Sequence, residues 1–178
     1  MMKTVVRFFR RRAIICFLKR KKQCILPDIT KYPTVALLLD EEQFKHHKEI
    51  EATVNQLFNL KRLTLIAHVH TLPKDVLQSD RHLFIQKEDY SFWGLMKQDK
   101  KESLTSLSFD MVVDFTPTSD DLLTRQYVLS LVNTTFRVTF GRRATKFYDM
   151  VIDAKKTDDI VNKIEILHVY LSMLFGKR

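Results

Sequence analysis

Apolar positions along the chain alternate between short runs and helical stripes, and the clearest stretch is Phe109–Gly141. Met111, Val112 and Val113 form an apolar run between Asp110 and Asp114. Leu122 to Val132 then has helical spacing, and Phe136–Phe140 alternates like a second strand. Strand, loop, helix and strand in that order predict a βαβ unit, the building block of a parallel sheet under helices. The polar loop Asp114–Asp121 then falls outside the carboxyl end of a strand, where open α/β sheets hold their ligands.

The same alternation extends both ways. Thr34–Leu39 is a continuous apolar run, the pattern of a strand covered on both faces. Asp40 follows with Gln43 three residues on, an N-cap pair that predicts a helix running to about Leu60. Phe44, Ile50, Val54, Leu57 and Phe58 form its inner face. Leu63–Val69 reads as a second strand, Thr71–Asp80 as a loop or short helix, and His82–Gln86 as a third strand. Asp89–Leu95 is irregular and aromatic, and Lys97–Ser103 reads as an exposed loop. Tyr148–Ile152 is a last strand, and Thr157–Phe175 a final helix apolar on more than one side, with Asp158 and Asp159 in its first turn. The expected fold is a single three-layer α/β domain with a mainly parallel, Rossmann-like sheet of five or six strands.

Residues 3–23 also read as a helix, though Arg10–Arg12 interrupts its apolar stripe. Pro27 and Pro33 bracket the stretch LPDITKYP, read as a linker. The expected division is a basic N-terminal helical segment, 1–26, and an α/β domain, 34–178. Charge sharpens that division. Of the 30 Lys and Arg residues, nine lie in residues 1–22: Lys3, Arg7, Arg10, Arg11, Arg12, Lys19, Arg20, Lys21 and Lys22. The first acid is Asp28, so the remaining 21 cations balance all 21 acids and the net charge of +9 belongs to the segment. A neutral body is no general polyanion binder. The nine cations are the expected contacts to an anionic surface, either a membrane or nucleic acid. Phe8, Phe9, Ile14, Ile15, Phe17 and Leu18 among them favour the membrane. The competing reading docks those apolar residues on the protein's own body and leaves the cations solvated.

Three glycines, Gly94, Gly141 and Gly176, cannot build a Gly-rich phosphate loop, so both dinucleotide and P-loop fingerprints are excluded. No cofactor is expected. Cys16 and Cys24 make no C-x-x-C or zinc spacing, which fits a reduced, cytosolic setting. The longest apolar run in the basic segment, Ala13–Leu18, is far short of the ~20 residues of a spanning helix. It also lacks a signal-peptide cleavage site. The expected location is cytoplasmic, with peripheral attachment to the inner face of the membrane.

The junction LLLDEEQF, with FDMVVDF, FRVTFG and YDMVID after a basic helix, resembles a family of uncharacterised small α/β proteins of Bacteroidetes-type bacteria. That resemblance implies a bacterial, cytosolic protein with no established activity. A fainter similarity is to the N-terminal halves of heptosyltransferase-like glycosyltransferases. Here FRVTFG carries an additional Thr139, and the chain has no length for a donor-binding domain, which argues against transfer.

Asp40, His70 and Asp114 should close three strands, and with Thr116, Thr118 and Ser119 they could share one crevice. Two carboxylates and an imidazole suit acid–base work or a metal. The plainer reading gives Asp40 to capping, Thr118 or Ser119 to capping the next helix, and Asp114 to loop amides. His68 and His70, two apart on a strand, share a face but have no third metal ligand at readable spacing; His46 and His47 diverge on a helix. Arg137, Arg142 and Arg143 cluster near the end of the βαβ unit, where they could receive an anion. Tyr90, Phe92 and Trp93 could stack a base or a partner, or pack a loop. The reading reached is a non-enzymatic accessory or interaction protein whose basic helix contacts an anionic surface. The alternative is a small-ligand binder or enzyme using the crevice.

Overall fold

The computed structural model describes residues 2–20, 33–73, 76–115, 122–141, 146–153 and 159–175. Six strands form one sheet: β1 (Thr34–Leu39), β2 (Arg62–His68), β3 (His82–Ile85), β4 (Ser108–Asp114), β5 (Asn133–Phe140) and β6 (Met150–Ile152). Their order is β3-β2-β1-β4-β5-β6, and every pairing is parallel. This is the doubly wound arrangement, with the chain reversing direction across the sheet between β1 and β4. Leu37 of β1 stands opposite Leu65 of β2 and Val113 of β4, so the central register places apolar residues side by side.

Successive residues of β1 serve opposite faces, as the pleat requires. Val35, Leu37 and Leu39 belong to one core, with Phe44, Ile50 and Val54 from helices α2 (Glu41–Phe44) and α3 (His47–Leu57). Ile164, Leu167 and Leu171 of α6 (Ile160–Phe175) complete that layer. The outer positions Val169, Tyr170, Met173 and Leu174 of α6 stay exposed. Ala36 and Leu38 belong to the other core, under α4 (Gln98–Thr105), α5 (Leu122–Leu131) and α1 (Met2–Arg20). Helices therefore cover both faces, the three-layer α/β arrangement expected from the alternating pattern.

The basic N-terminal helix is one of those covering elements. Ile14 is buried in the second core, and Ala13, Phe17 and Leu18 pack against it. Phe17 lies 5.4 Å from the Phe147 ring, and the Arg137 guanidinium sits 4.5 Å from the Phe17 centroid. Gly94 explains how the helix comes so close to the loop before α4. Its φ is +72°, and a Cβ there would run into Val6 of α1, so both the backbone and the packing require glycine.

Two expectations are corrected. Lys97–Ser103 is not a loop: Gln98–Thr105 is helical. Its one buried residue, Leu104, lies just past the polar window. Gln98 Nε2 donates to Glu102 Oε1 at 2.6 Å along its solvent face. A helix of two turns needs only one anchor, so it shows no apolar stripe. The helix expected from Asp40 to Leu60 is two helices, broken at Lys45–His46, with His46 at φ −97° and ψ 18°. His47 then stacks on Phe44, with centroids 4.8 Å apart.

Candidate functional site

The carboxyl ends of β1, β2 and β3 open into a crevice of ≈ 540 Å³ beside the start of α5. Asp40, Glu41 and Glu42 enter it from the turn after β1. His68, Val69 and His70 come from the end of β2, and Ile85, Gln86 and Lys87 from the end of β3. Thr124 and Arg125 come from the first turn of α5, Tyr90 from the stretch between β3 and α4, and Arg10 from α1. Acids therefore come from the α2 side of the sheet and guanidinium groups from the α1 and α5 side.

Local chemistry fixes several of these positions. Asp40 Oδ1 accepts from Gln43 N at 2.8 Å, and Gln43 Oε1 accepts from Asp40 N at 3.0 Å, a reciprocal capping box. Gln43 Nε2 donates to Phe115 O at 3.2 Å, tying the exit of β1 to the exit of β4. His70 is exposed, and its backbone N–H donates to Glu41 Oε2 at 3.2 Å.

Asp114 does not line the crevice. It is 1% exposed, sealed at the end of β4. Tyr148 OH donates to its Oδ2 at 2.6 Å, and Arg125 Nη1 approaches its Oδ1 at 3.4 Å. Burial, then the neighbouring Asp114 charge, pushes the Tyr148 phenol well above its ordinary range, so it stays protonated and donates. Of the three proposed site residues, Asp40 and His70 share the crevice, while Asp114 positions Arg125 from outside it. Thr116, Thr118 and Ser119 lie outside the described residues, as do Arg142 and Arg143.

Three residues line the crevice that the sequence did not place there. Arg10 is half-buried: its Nε donates to Gly94 O at 2.8 Å, its Nη1 donates to Thr124 Oγ1, and its guanidinium lies 4.8 Å from the Tyr90 centroid. Arg125 is buried, and its Nε has no hydrogen-bond partner among the described residues. His68 lines the crevice, and its Nε2 is likewise buried without a hydrogen-bond partner among those residues. Burial first, and then the charges of Arg125 and Arg10, lower the His68 imidazole from 6.5 to about 4. It is neutral at pH 7. The signal for His68 was its pairing with His70 on alternate positions. β2 ends at His68, however, and the two histidines part there. Among the described residues no group of three or more His, Cys, Asp or Glu could hold a metal ion.

A depressed histidine makes stability depend on pH. The unfolded chain takes up the proton below about 6.5, but the folded one does so only below about 4. Stability is therefore lost as pH falls through that window, by about 3 kcal/mol if the whole difference is expressed. His68→Asn should remove this part of the acid loss. The check is the difference between urea midpoints at pH 7 and pH 4.5 in both proteins; equal losses would show that His68 is not depressed.

The remaining cations divide by position. Arg7, Arg11, Arg12 and Lys19 are exposed on α1. The side chains of Lys3 and Arg20, and all of Lys21 and Lys22, lie outside the described residues. Arg137 is buried between Phe17 and Phe147; burial lowers it to about 10, so it stays charged. No described helix is long and apolar enough to cross a membrane.

No curated protein and no solved structure matches the chain. A protein-family model does match, over residues 7–174, from the second turn of α1 to the last turn of α6. That span takes in Arg10, His68 and Arg125 with all six strands, and the chain belongs to that family, DUF6913, a family of unknown function.

Proposed function

We propose that the protein binds a small molecule carrying a carboxylate or phosphate in the crevice at the ends of β1, β2 and β3. The observation that carries this reading is the buried His68 Nε2, which has no hydrogen-bond partner among the described residues and faces the influence of two arginines. An orphaned buried polar atom is uncommon in a folded chain and calls for an explanation. A ligand oxygen supplies one: it would accept from the imidazole and from Arg125 Nε, close to the positive end of the α5 dipole. The volume of ≈ 540 Å³ falls in the usual range for small-molecule sites. The place is also the one where doubly wound sheets keep ligands. The turn after β1 is a one-residue cap at Asp40 rather than a glycine loop, which speaks for a compact anion over a dinucleotide.

The test is titration of the full chain with inorganic phosphate, nucleoside monophosphates and small dicarboxylates, following the imidazole signals by NMR. At least one class should move the His68 resonances, and His68→Asn should weaken that ligand about tenfold, the worth of one such hydrogen bond. If no member moves them at millimolar concentration, the crevice is not an anion site.

A further inference from the structure

We propose that the outward face of α1, together with Phe92 and Trp93, docks the protein on an anionic lipid bilayer. On a helix of 3.6 residues per turn, Thr4, Phe8, Arg11, Arg12, Ile15 and Lys19 fall on one side. All six are exposed, opposite the face that carries buried Ile14. Phe8 is 59% and Ile15 52% exposed, two turns apart along the same line. The inward apolar residues of α1 are already used against the sheet; these two are not. Phe92 and Trp93 extend the patch. Phe8 meets Phe9 at 5.6 Å between centroids, Phe9 meets Trp93 at 5.8 Å, and Trp93 meets Phe92 at 5.4 Å. Both residues of the loop are themselves exposed, at 72% and 53%.

The charge around this patch selects its occupant. Arg7, Arg11, Arg12 and Lys19 are exposed on the helix, and residues 2–20 contain no acid. Each such cation strengthens binding to an anionic leaflet roughly fivefold before screening. Apolar side chains set among cations on a helix lying flat suit the boundary between headgroups and acyl chains. Aliphatic Ile15 offers a nucleic acid nothing to stack on. A second copy of this face would bring cations against cations, because a two-fold contact pairs the patch with itself. The proposal uses none of the crevice ligand's contacts and stands independently of it.

Trp93 is the only tryptophan in the chain, so its emission reports on the patch alone. The full-length protein is mixed with phosphatidylcholine vesicles, with or without phosphatidylglycerol, at low salt. With phosphatidylglycerol the protein should sediment, and Trp93 emission should shift to the blue and be quenched by brominated acyl chains. Physiological salt should weaken binding. The double variant Arg11→Glu, Arg12→Glu should lose more than tenfold in affinity. Phe8→Ser with Ile15→Ser should reduce quenching while keeping part of the sedimentation. All four positions are exposed, and an unchanged melting curve confirms that each variant folds. Failure to sediment at low salt, sedimentation without quenching of Trp93, or binding to single-stranded RNA in place of vesicles would each overturn the proposal.

Discussion

Replacing Asp114 by alanine should destabilise the protein by about 3–5 kcal/mol, the usual cost of leaving a buried partner charge uncompensated. The carboxylate is 1% exposed, and Arg125, beside it at 3.4 Å, is 6% exposed. Without Asp114 the guanidinium keeps its charge in a dry site, and Tyr148 loses the acceptor of its 2.6 Å hydrogen bond. Asp114→Asn should cost less, because an amide oxygen still accepts from Tyr148. Tyr148→Phe should cost about 0.5–1.5 kcal/mol for one hydrogen bond, somewhat more with a charged acceptor. Asp40→Asn touches only a helix cap, where asparagine serves about as well as aspartate, and should cost less than about 0.5 kcal/mol. Urea unfolding of the four variants sets the order. An Asp114→Ala loss below that of Asp40→Asn would mean that Arg125 reaches solvent and is not held by the carboxylate.

Deleting residues 1–20 should abolish cooperative folding. A fully buried aliphatic side chain such as Ile14 contributes about 1.5–3 kcal/mol. Half-buried Val6, Phe9, Ala13, Phe17 and Leu18 add to it. Together these approach the ~5–15 kcal/mol that separates a typical domain from its unfolded state. The deletion would also uncover Arg137, now 3% exposed beneath Phe17, along with part of the core that α1 shares with α4 and α5. Circular dichroism melting and amide dispersion of the truncated chain decide the matter. A sharp transition within ~1 kcal/mol of the full chain would show that the body from residue 33 onward stands by itself.

The central strands were legible because each is an uninterrupted apolar run: Val35–Leu39, Leu65–Ala67 and Met111–Val113 are buried throughout. Such runs require cover on both faces and so announce parallel pairing and two helical layers. Helix α4 was illegible for the opposite reason, since Leu104 alone anchors it. The capping box at Asp40 was readable because its partner is three residues away. The rest of the site is assembled across distance. His68 meets the influence of Arg10 and Arg125 from two separate helices, and Tyr148 reaches Asp114 from 34 residues on. Alternation along a strand says which face a residue takes but not which helix comes down on it. The inward turn of Arg10 was hidden in the same way: a triple-arginine run reads as a solvated break in a stripe, yet its first member lies on the buried side of the helix.

The position of α1 in the layer it completes bears on how the chain is made. Arg10 and its partner Thr124 are 114 residues apart. At ~5–20 residues per second of synthesis, roughly 6–23 s pass before α5 can leave the ribosome and receive the helix. During that interval the most basic stretch of the chain lacks its α5 partner and can meet only the loop that carries Tyr90, Trp93 and Gly94, while β1, α2, α3 and β2 can already pair among themselves. The layer that supplies the crevice with its arginines therefore joins the two ends of a long wait, while the opposite layer stays open until α6, the last helix made, reaches Phe44 and Ile50.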